Sequence, residues 1–412
     1  MRCVPIFTAL LAALPGAAHA ASVEVAGSTL RLIAAPGEAN DVTITSAEGL
    51  FTVTEGAALG LTSGLGCVQA APLRVTCATS GISSLVIDLG DEDDSLTLSG
   101  LTLAATITDG PGNDTVTGGP GAETFVGSPG DDILSGGGGN DSFGDAGGVG
   151  ADRLEGGSGT DTADYSSRTV PVAVRIDDVA DDGATDEGDD VRTDVETVNG
   201  GTAGDTLVGS SAVNTLRGNN GDDVLDGAGA GDVIIGGGGL DTVDYSGRMA
   251  GVTVSLEGIA NDGEINERDN VGTDVENVLG GAGADVVTGS SALNDLRGNA
   301  GDDRLDGGGG NDTLRGATGT DTLNGGTGND LLDGGEGADT IAGGPNTDVV
   351  DYSSRTAAIT ADLNATTGFG EADENDTVAA DVEGVHGGAG DDVLTGDSGA
   401  NALRGNAGAD TI

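Results

Sequence analysis

Nine residues, Gly307-Gly308-Gly309-Gly310-Asn311-Asp312-Thr313-Leu314-Arg315, set a pattern that recurs in phase along most of this chain. Glycine fills positions one, usually two and usually four, an acid fills position six, and an aliphatic residue usually fills position eight. Glycine admits positive-φ turns that other residues resist. The acid offers hard oxygen ligands, and the aliphatic residue gives each unit one inward-facing side chain. A unit this short cannot bury its own apolar group, so successive units must stack into a solenoid.

Composition narrows the choice. The chain has 412 residues with 79 glycines, no tryptophan and a formal net charge of −54. Glycine enrichment also marks collagen, but collagen has a period of three. High charge with few aromatics is a signature of disorder. The regular aliphatics at position eight oppose permanent disorder, though not disorder in the absence of a ligand. All fifteen basic residues are arginine. Such a balance excludes nucleic acid and anionic lipid as partners and favours cations. A generally acidic, salt-adapted surface would scatter its acids, whereas here they fall in register.

Residues 1–20 read as a secretory signal: Arg2 is the basic region, Val4 to Leu14 is apolar, and Ala18-His19-Ala20 fits a cleavage site. No later segment is long enough to span a bilayer. Cys3 leaves with the signal. Cys67 and Cys77, with nine residues between them, are expected to form one disulfide in an oxidising compartment. Residues 21–108 alternate with period two, as in Val42-Thr43-Ile44-Thr45 and Leu85-Val86-Ile87-Asp88-Leu89, and predict an amino-terminal β region that caps the stack.

Four nonapeptide arrays follow, at residues 109–164, 200–244, 280–351 and 387–412, the first carrying a two-residue insertion at Asp145-Ala146. Inter-array β units occupy residues 165–199, 245–279 and 352–386. Each opens on an Asp-Tyr-Ser exit (Tyr165, Tyr245, Tyr352), and the tyrosines are expected to cap the last rung. A strand, an acidic loop and a second strand at Asp194-Val195-Glu196, Asp274-Val275-Glu276 or Asp381-Val382-Glu383 are expected to follow. The exits recur at spacings of 80 and 107 residues (164 to 244, 244 to 351), which differ by three nonapeptides. Length therefore changes in whole repeats.

If two nonapeptides make one coil, residues eighteen apart lie one above another at the strand spacing of about 4.8 Å. Carboxylates stacked this way repel, and an ion between coils turns repulsion into cross-linking. Ca²⁺ suits the task, because it takes six to eight oxygens from carboxylates and carbonyls alike. Folding and binding then become one event.

The chain at this point resembles the RTX, or haemolysin-type, calcium-binding nonapeptide family, with its G-G-x-G-x-D-x-aliphatic-x pattern. The resemblance implies an all-β parallel β-roll solenoid and makes the sixth-position acids calcium ligands. They are Asp114, Asp132, Asp141, Asp152 and Asp161 in the first array, and Asp205, Asp223, Asp232 and Asp241 in the second. The third array supplies Asp285, Asp303, Asp312, Asp321, Asp330, Asp339 and Asp348, and the fourth Asp392 and Asp410. Sixth positions number 22: 18 Asp, Glu123, and the asparagines Asn214, Asn294 and Asn401, each in the second repeat of its array. Weak or empty sites and structural Asn ladders are expected at the three amides, and the fullest calcium ladder in the third array.

No catalytic site is expected. Gly396-Asp397-Ser398-Gly399 superficially matches a serine-protease motif, but His386 is the one histidine left after the signal and no triad is in prospect. The acidic loops of the inter-array units do not match an EF-hand and are expected to be solvated turns. The function expected is binding of several Ca²⁺ ions by a secreted protein with a structural or adhesive role at the cell surface or matrix. The alternative is a folding and secretion scaffold for an enzyme or toxin domain lying beyond Ile412, which is the eighth position of an unfinished repeat.

Overall fold

The computed structural model describes residues 21–56, 60–144 and 150–412. The expected leader, residues 1–20, and the Asp145-Ala146 insertion lie outside these residues, but the insertion's neighbours record its effect. Thr115 pairs with Ile133, eighteen residues on, whereas Ile133 pairs with Arg153, twenty residues on. One coil is thus two residues longer and the register survives.

All secondary structure among the described residues is β. In the third array each strand begins at position seven, as in Val286–Thr288, Arg304–Asp306, Thr322–Asn324 and Thr340–Ala342, which pair in parallel at intervals of eighteen. The alternate repeats, Asp295–Ala300, Thr313–Thr318 and Leu331–Glu336, form the facing sheet. Two nonapeptides therefore make one coil of a parallel β-roll, as the repeat predicts.

Position eight builds the interior. Val287, Leu305, Leu323 and Ile341 stack on one sheet, Leu296, Leu314, Leu332 and Val350 on the other, and all are buried. Position four explains its glycine: Gly328 has φ +145°, and a methyl on it would run into the Gly310 carbonyl of the coil before. Coils one strand spacing apart leave no room for a side chain there.

The amino-terminal region pairs Ala21–Ala26 with Thr29–Ile33 and Asp41–Ala47 with Leu50–Glu55 as antiparallel hairpins. Parallel strands Ser84–Asp88, Ser95–Ser99 and Ala104–Thr108 then start the stack. Cys67 and Cys77 face each other across the antiparallel pair Cys67–Ala71 and Arg74–Ala78 and are disulfide-bonded. Among the described residues no helix is long and apolar enough to cross a membrane.

Each inter-array unit ends one sheet, starts another and lets a third strand carry through. In the first unit Val172–Arg175 pairs forward with Thr206–Val208, and Asp190–Val191 pairs back with Arg153–Gly159. Thr197–Asn199 pairs on both sides, with Thr162–Asp164 and Thr215–Asn220. This differs from the expected second strand at Asp194-Val195-Glu196. That tripeptide lies between Asp190–Val191 and Thr197–Asn199, burying Val195 and using its two acids as described below.

Candidate metal-binding ladder

The sixth-position side chains form two ladders running the length of the arrays. The backbone N–H of each such residue donates to Oδ1 of the acid one coil later. Asp285 N to Asp303 Oδ1, Asp303 N to Asp321 Oδ1, Asp312 N to Asp330 Oδ1 and Asp321 N to Asp339 Oδ1 are all 2.8 Å. The same bond joins Asp114 to Asp132, Glu123 to Asp141, Asp205 to Asp223, Asn214 to Asp232 and Asp392 to Asp410. Asp132 to Asp152 and Asp141 to Asp161 continue it across the longer coil.

The second oxygen is left over. Oδ2 of Asp114, Asp141, Asp161, Asp223, Asp232, Asp241, Asp303, Asp312, Asp321, Asp330, Asp339 and Asp348 is buried without a hydrogen-bond partner, as is Oε1 of Glu123. A buried polar atom without a partner costs about 1–3 kcal/mol, more when charged. A dozen in register form a system rather than scattered defects. Position-one glycine shapes the space beside each: a methyl on Gly325 would lie 2.5 Å from Asp330 Oδ2 and 2.7 Å from the carbonyl oxygen of Gly343. Carboxylate and turn carbonyl thus converge on a cleft that only glycine leaves open. The donors are all oxygen, the cleft is acidic, and the coordination demands of Ca²⁺ are met in kind.

Burial, followed by the neighbouring carboxylates, pushes these groups up to about 7 at Asp312 and Asp339 and about 6 at Asp303, Asp321 and Asp348. In the second array Asp232 rises to about 7 and Asp241 to about 6, again chiefly through burial. Without a cation the ladder resists full ionisation at neutral pH.

The predicted residues do not behave alike. Asp205, Asp285 and Asp392 open their arrays and have both oxygens occupied. Oδ1 accepts from Val172, Val252 or Ile359 N, and Oδ2 from Gly201, Gly281 or Gly388 N. The asparagines next in line are self-sufficient too. Asn294 Oδ1 accepts from Ser290 N at 2.8 Å and its amide donates to the Glu276 carbonyl at 2.8 Å, with a similar arrangement at Asn214. Asp410, half-buried near the end of the chain, uses Oδ1 to accept from Asp392 N.

Sequence reasoning passed over several members. Asp94 accepts from Asn40 N at 2.6 Å and donates its own N–H to Asp114, so the ladder begins upstream of residue 109. Its signal is Gly90, Asp94 and Leu96 at positions two, six and eight of a degenerate repeat. The inter-array units supply the ladder ends. Asp189, Asp269 and Asp376 take the N–H of Asp152, Asp232 and Asp339, and their other oxygen accepts the hydroxyl of Tyr165, Tyr245 or Tyr352 at 2.8–2.9 Å. Glu196, Glu276 and Glu383 end the second ladder on Asp161, Asp241 and Asp348 N. Asp194 accepts from Gly156 and Gly157 N. The acidic loops are not simply solvated turns: Asp182 and Asp262 are buried and each accepts two backbone N–H groups, from Arg175 and Val191 or Ser255 and Val271.

A solenoid of parallel two-strand coils with an acid ladder at the turns defines a class of cation-binding β-roll. A family model described as the RTX calcium-binding nonapeptide repeat (4 copies) matches residues 100–143, 146–164, 199–243, 272–350 and 385–412 in overlapping copies, just over half of the chain. The chain belongs to that family, and its repeats are calcium-binding repeats. No curated protein matches it closely enough to count as a relative.

Proposed function

We propose that the chain binds several Ca²⁺ ions between successive coils, that binding drives its folding, and that the product is a stiff secreted rod with a structural or adhesive role at the cell surface or in the matrix. The observation that carries the reading is the row of buried carboxylate oxygens without partners. An ion beside each answers the desolvation cost and the mutual repulsion together. The ligands on this reading are the sixth-position acids with a free oxygen, with the third-array run from Asp303 to Asp348 as the longest continuous set. The opening acids Asp205, Asp285 and Asp392 serve as structural acceptors. Export is supported by the leader-like residues 1–20 and by the Cys67–Cys77 disulfide, which suits an oxidising compartment. Extracellular calcium modules bind at about 10⁻⁴–10⁻³ M, so the fold would form at extracellular calcium levels and dissolve below them.

The test is circular dichroism with calorimetric titration. The chain is expected to be coil in chelator and β at millimolar calcium, with many ions taken up cooperatively. Identical spectra in both conditions, with no metal found by elemental analysis, would sink the reading.

A further inference from the structure

Position one is glycine in every repeat of the four arrays except the first, where it is Asp109. Elsewhere the missing side chain leaves open the space beside the sixth-position carboxylate; here a third carboxylate enters it. One oxygen each of Asp109, Asp114 and Asp132 lie within 4.8 Å of one another, and each of the three residues is 1 % exposed. Asp109 Oδ1 accepts from Ser128 Oγ and from its own neighbour Gly110 N, both at 2.9 Å. Asp114 Oδ1 accepts from Asp94 N at 2.7 Å and Asp132 Oδ1 from Asp114 N at 2.8 Å. The Oδ2 atoms of Asp109 and Asp114 have no partner at all. Ser128 Oγ also lies 2.6 Å from the Gly110 carbonyl, its one hydroxyl proton shared between the two acceptors, so the turn that presents Asp109 is tied to the next coil.

We propose that Asp109, Asp114 and Asp132 form a three-carboxylate cation site at the junction of the amino-terminal β region and the first array, more acidic than the two-carboxylate clefts of the other coils and filled before them. It rests on the reading that the acid ladder takes calcium and adds to one of its steps a third carboxylate, Asp109 at position one, that the nonapeptide pattern does not specify. Three hard anionic ligands favour Ca²⁺ and favour a trivalent lanthanide more strongly. Location gives the site a task. Thr115–Thr117 pairs with Ser95–Ser99 on one side and Ile133–Gly139 on the other, and the bonds from Asn40 to Asp94 to Asp114 lead back into the amino-terminal region. An ion held here fixes the first coil of the array on the cap.

Terbium titration of the full chain, read by directly excited luminescence and by hydrogen exchange, tests this. Wild-type protein should take its first equivalent at least ten-fold more tightly than the rest, and that equivalent should protect the amides of residues 94–135 before those of the third array. Asp109→Gly, which installs the residue the other repeats carry, and Asp109→Asn should each lose the tight equivalent while keeping the remaining sites and the β spectrum in millimolar calcium. Asp312→Asn should keep it. A single uniform class of sites in wild type, protection that begins in the third array, or a tight equivalent that survives Asp109→Gly would overturn the inference while leaving calcium binding by the arrays intact. Loss of all metal binding in wild type would instead remove the reading on which it rests.

Discussion

Within the third-array run from Asp303 to Asp348 each carboxylate is asymmetric: Oδ1 is committed to the preceding coil and Oδ2 is free. Asp321→Ala should therefore lower calcium affinity in the third array by about ten-fold or more, on the scale of one lost charged ligand at about 1.5–3 kcal/mol. Asn294→Ala and Asp285→Asn should cost fold stability without removing an ion, because both side chains are satisfied by the protein. Calorimetric stoichiometry separates the two outcomes. Gly325→Ala places a methyl in the cleft of Asp330 and should lose one ion and about 1–3 kcal/mol, the usual cost of overpacking, checked by melting in calcium. The raised carboxylates fix the sign of the pH dependence. Burial raises their folded pKa values, up to about 7 at Asp312 and about 6 at Asp321, above the ordinary aspartate value of 3.8 that an unfolded chain would approach. The metal-free fold thus binds more protons than the unfolded chain between about pH 4 and 7, and its stability falls as pH rises through that window. Metal-free protein should show more β signal at pH 4.5 than at pH 8, while calcium affinity should weaken on acidification because protons compete for the same oxygens.

At the scale of the element, the inter-array units act as ladder stops. Tyr245 is fully buried and donates its hydroxyl at 2.9 Å to the very oxygen of Asp269 that would otherwise be free. On the proposed reading the tyrosine proton takes the place that an ion would take elsewhere, which closes one run of sites before the next begins. Tyr245→Phe should leave that oxygen bare and lower stability in calcium by about 1–3 kcal/mol, read as a fall in melting temperature. An unchanged melting temperature would argue against the stop. The threefold Asp-Tyr-Ser and Asp-Val-Glu recurrences were visible in the chain, and the capping role of the tyrosines could be guessed. The partners could not: Tyr245 and Asp269 are 24 residues apart, and Asp182 looks like any acid in a charged loop until the strand it supports is in place. Asp94 was hidden for another reason, since only three of its repeat's marker positions survive.

Across the whole molecule, the number of repeats in an array decides which sheet continues. Consecutive nonapeptides alternate between the two sheets, and an exit always stops the sheet of the penultimate repeat and extends that of the last. The second array has five repeats. There the sheet arriving through Thr197–Asn199 ends at Asn270–Val271, and the newer sheet passes through Asn277–Leu279. The third array has eight repeats, and the sheet that enters through Asn277–Leu279 also leaves, through Gly384–His386. Deleting one nonapeptide, residues 312–320, should therefore preserve a cooperative calcium-dependent melt with the continuous sheet exchanged. Deleting six residues, 312–317, should destroy it, because the ladder and the position-eight core would both leave register.

What the amino-acid order determined alone was everything that depends on one nonapeptide and its neighbour eighteen residues away: the turn, the inward aliphatic, the stacked acid and the glycine gaps. Those follow from local backbone geometry repeated at a fixed rise. What only the folded molecule decided was which acids keep a bare oxygen. Asp285 and Asp303 occupy the same place in the repeat and each seats Oδ1 on a backbone N–H, yet Oδ2 of Asp285 accepts from Gly281 N while Oδ2 of Asp303 has no partner. That distinction falls on the acids that open their arrays, where the turn N–H of Gly201, Gly281 or Gly388 reaches Oδ2, and no repeat encodes its own place in an array.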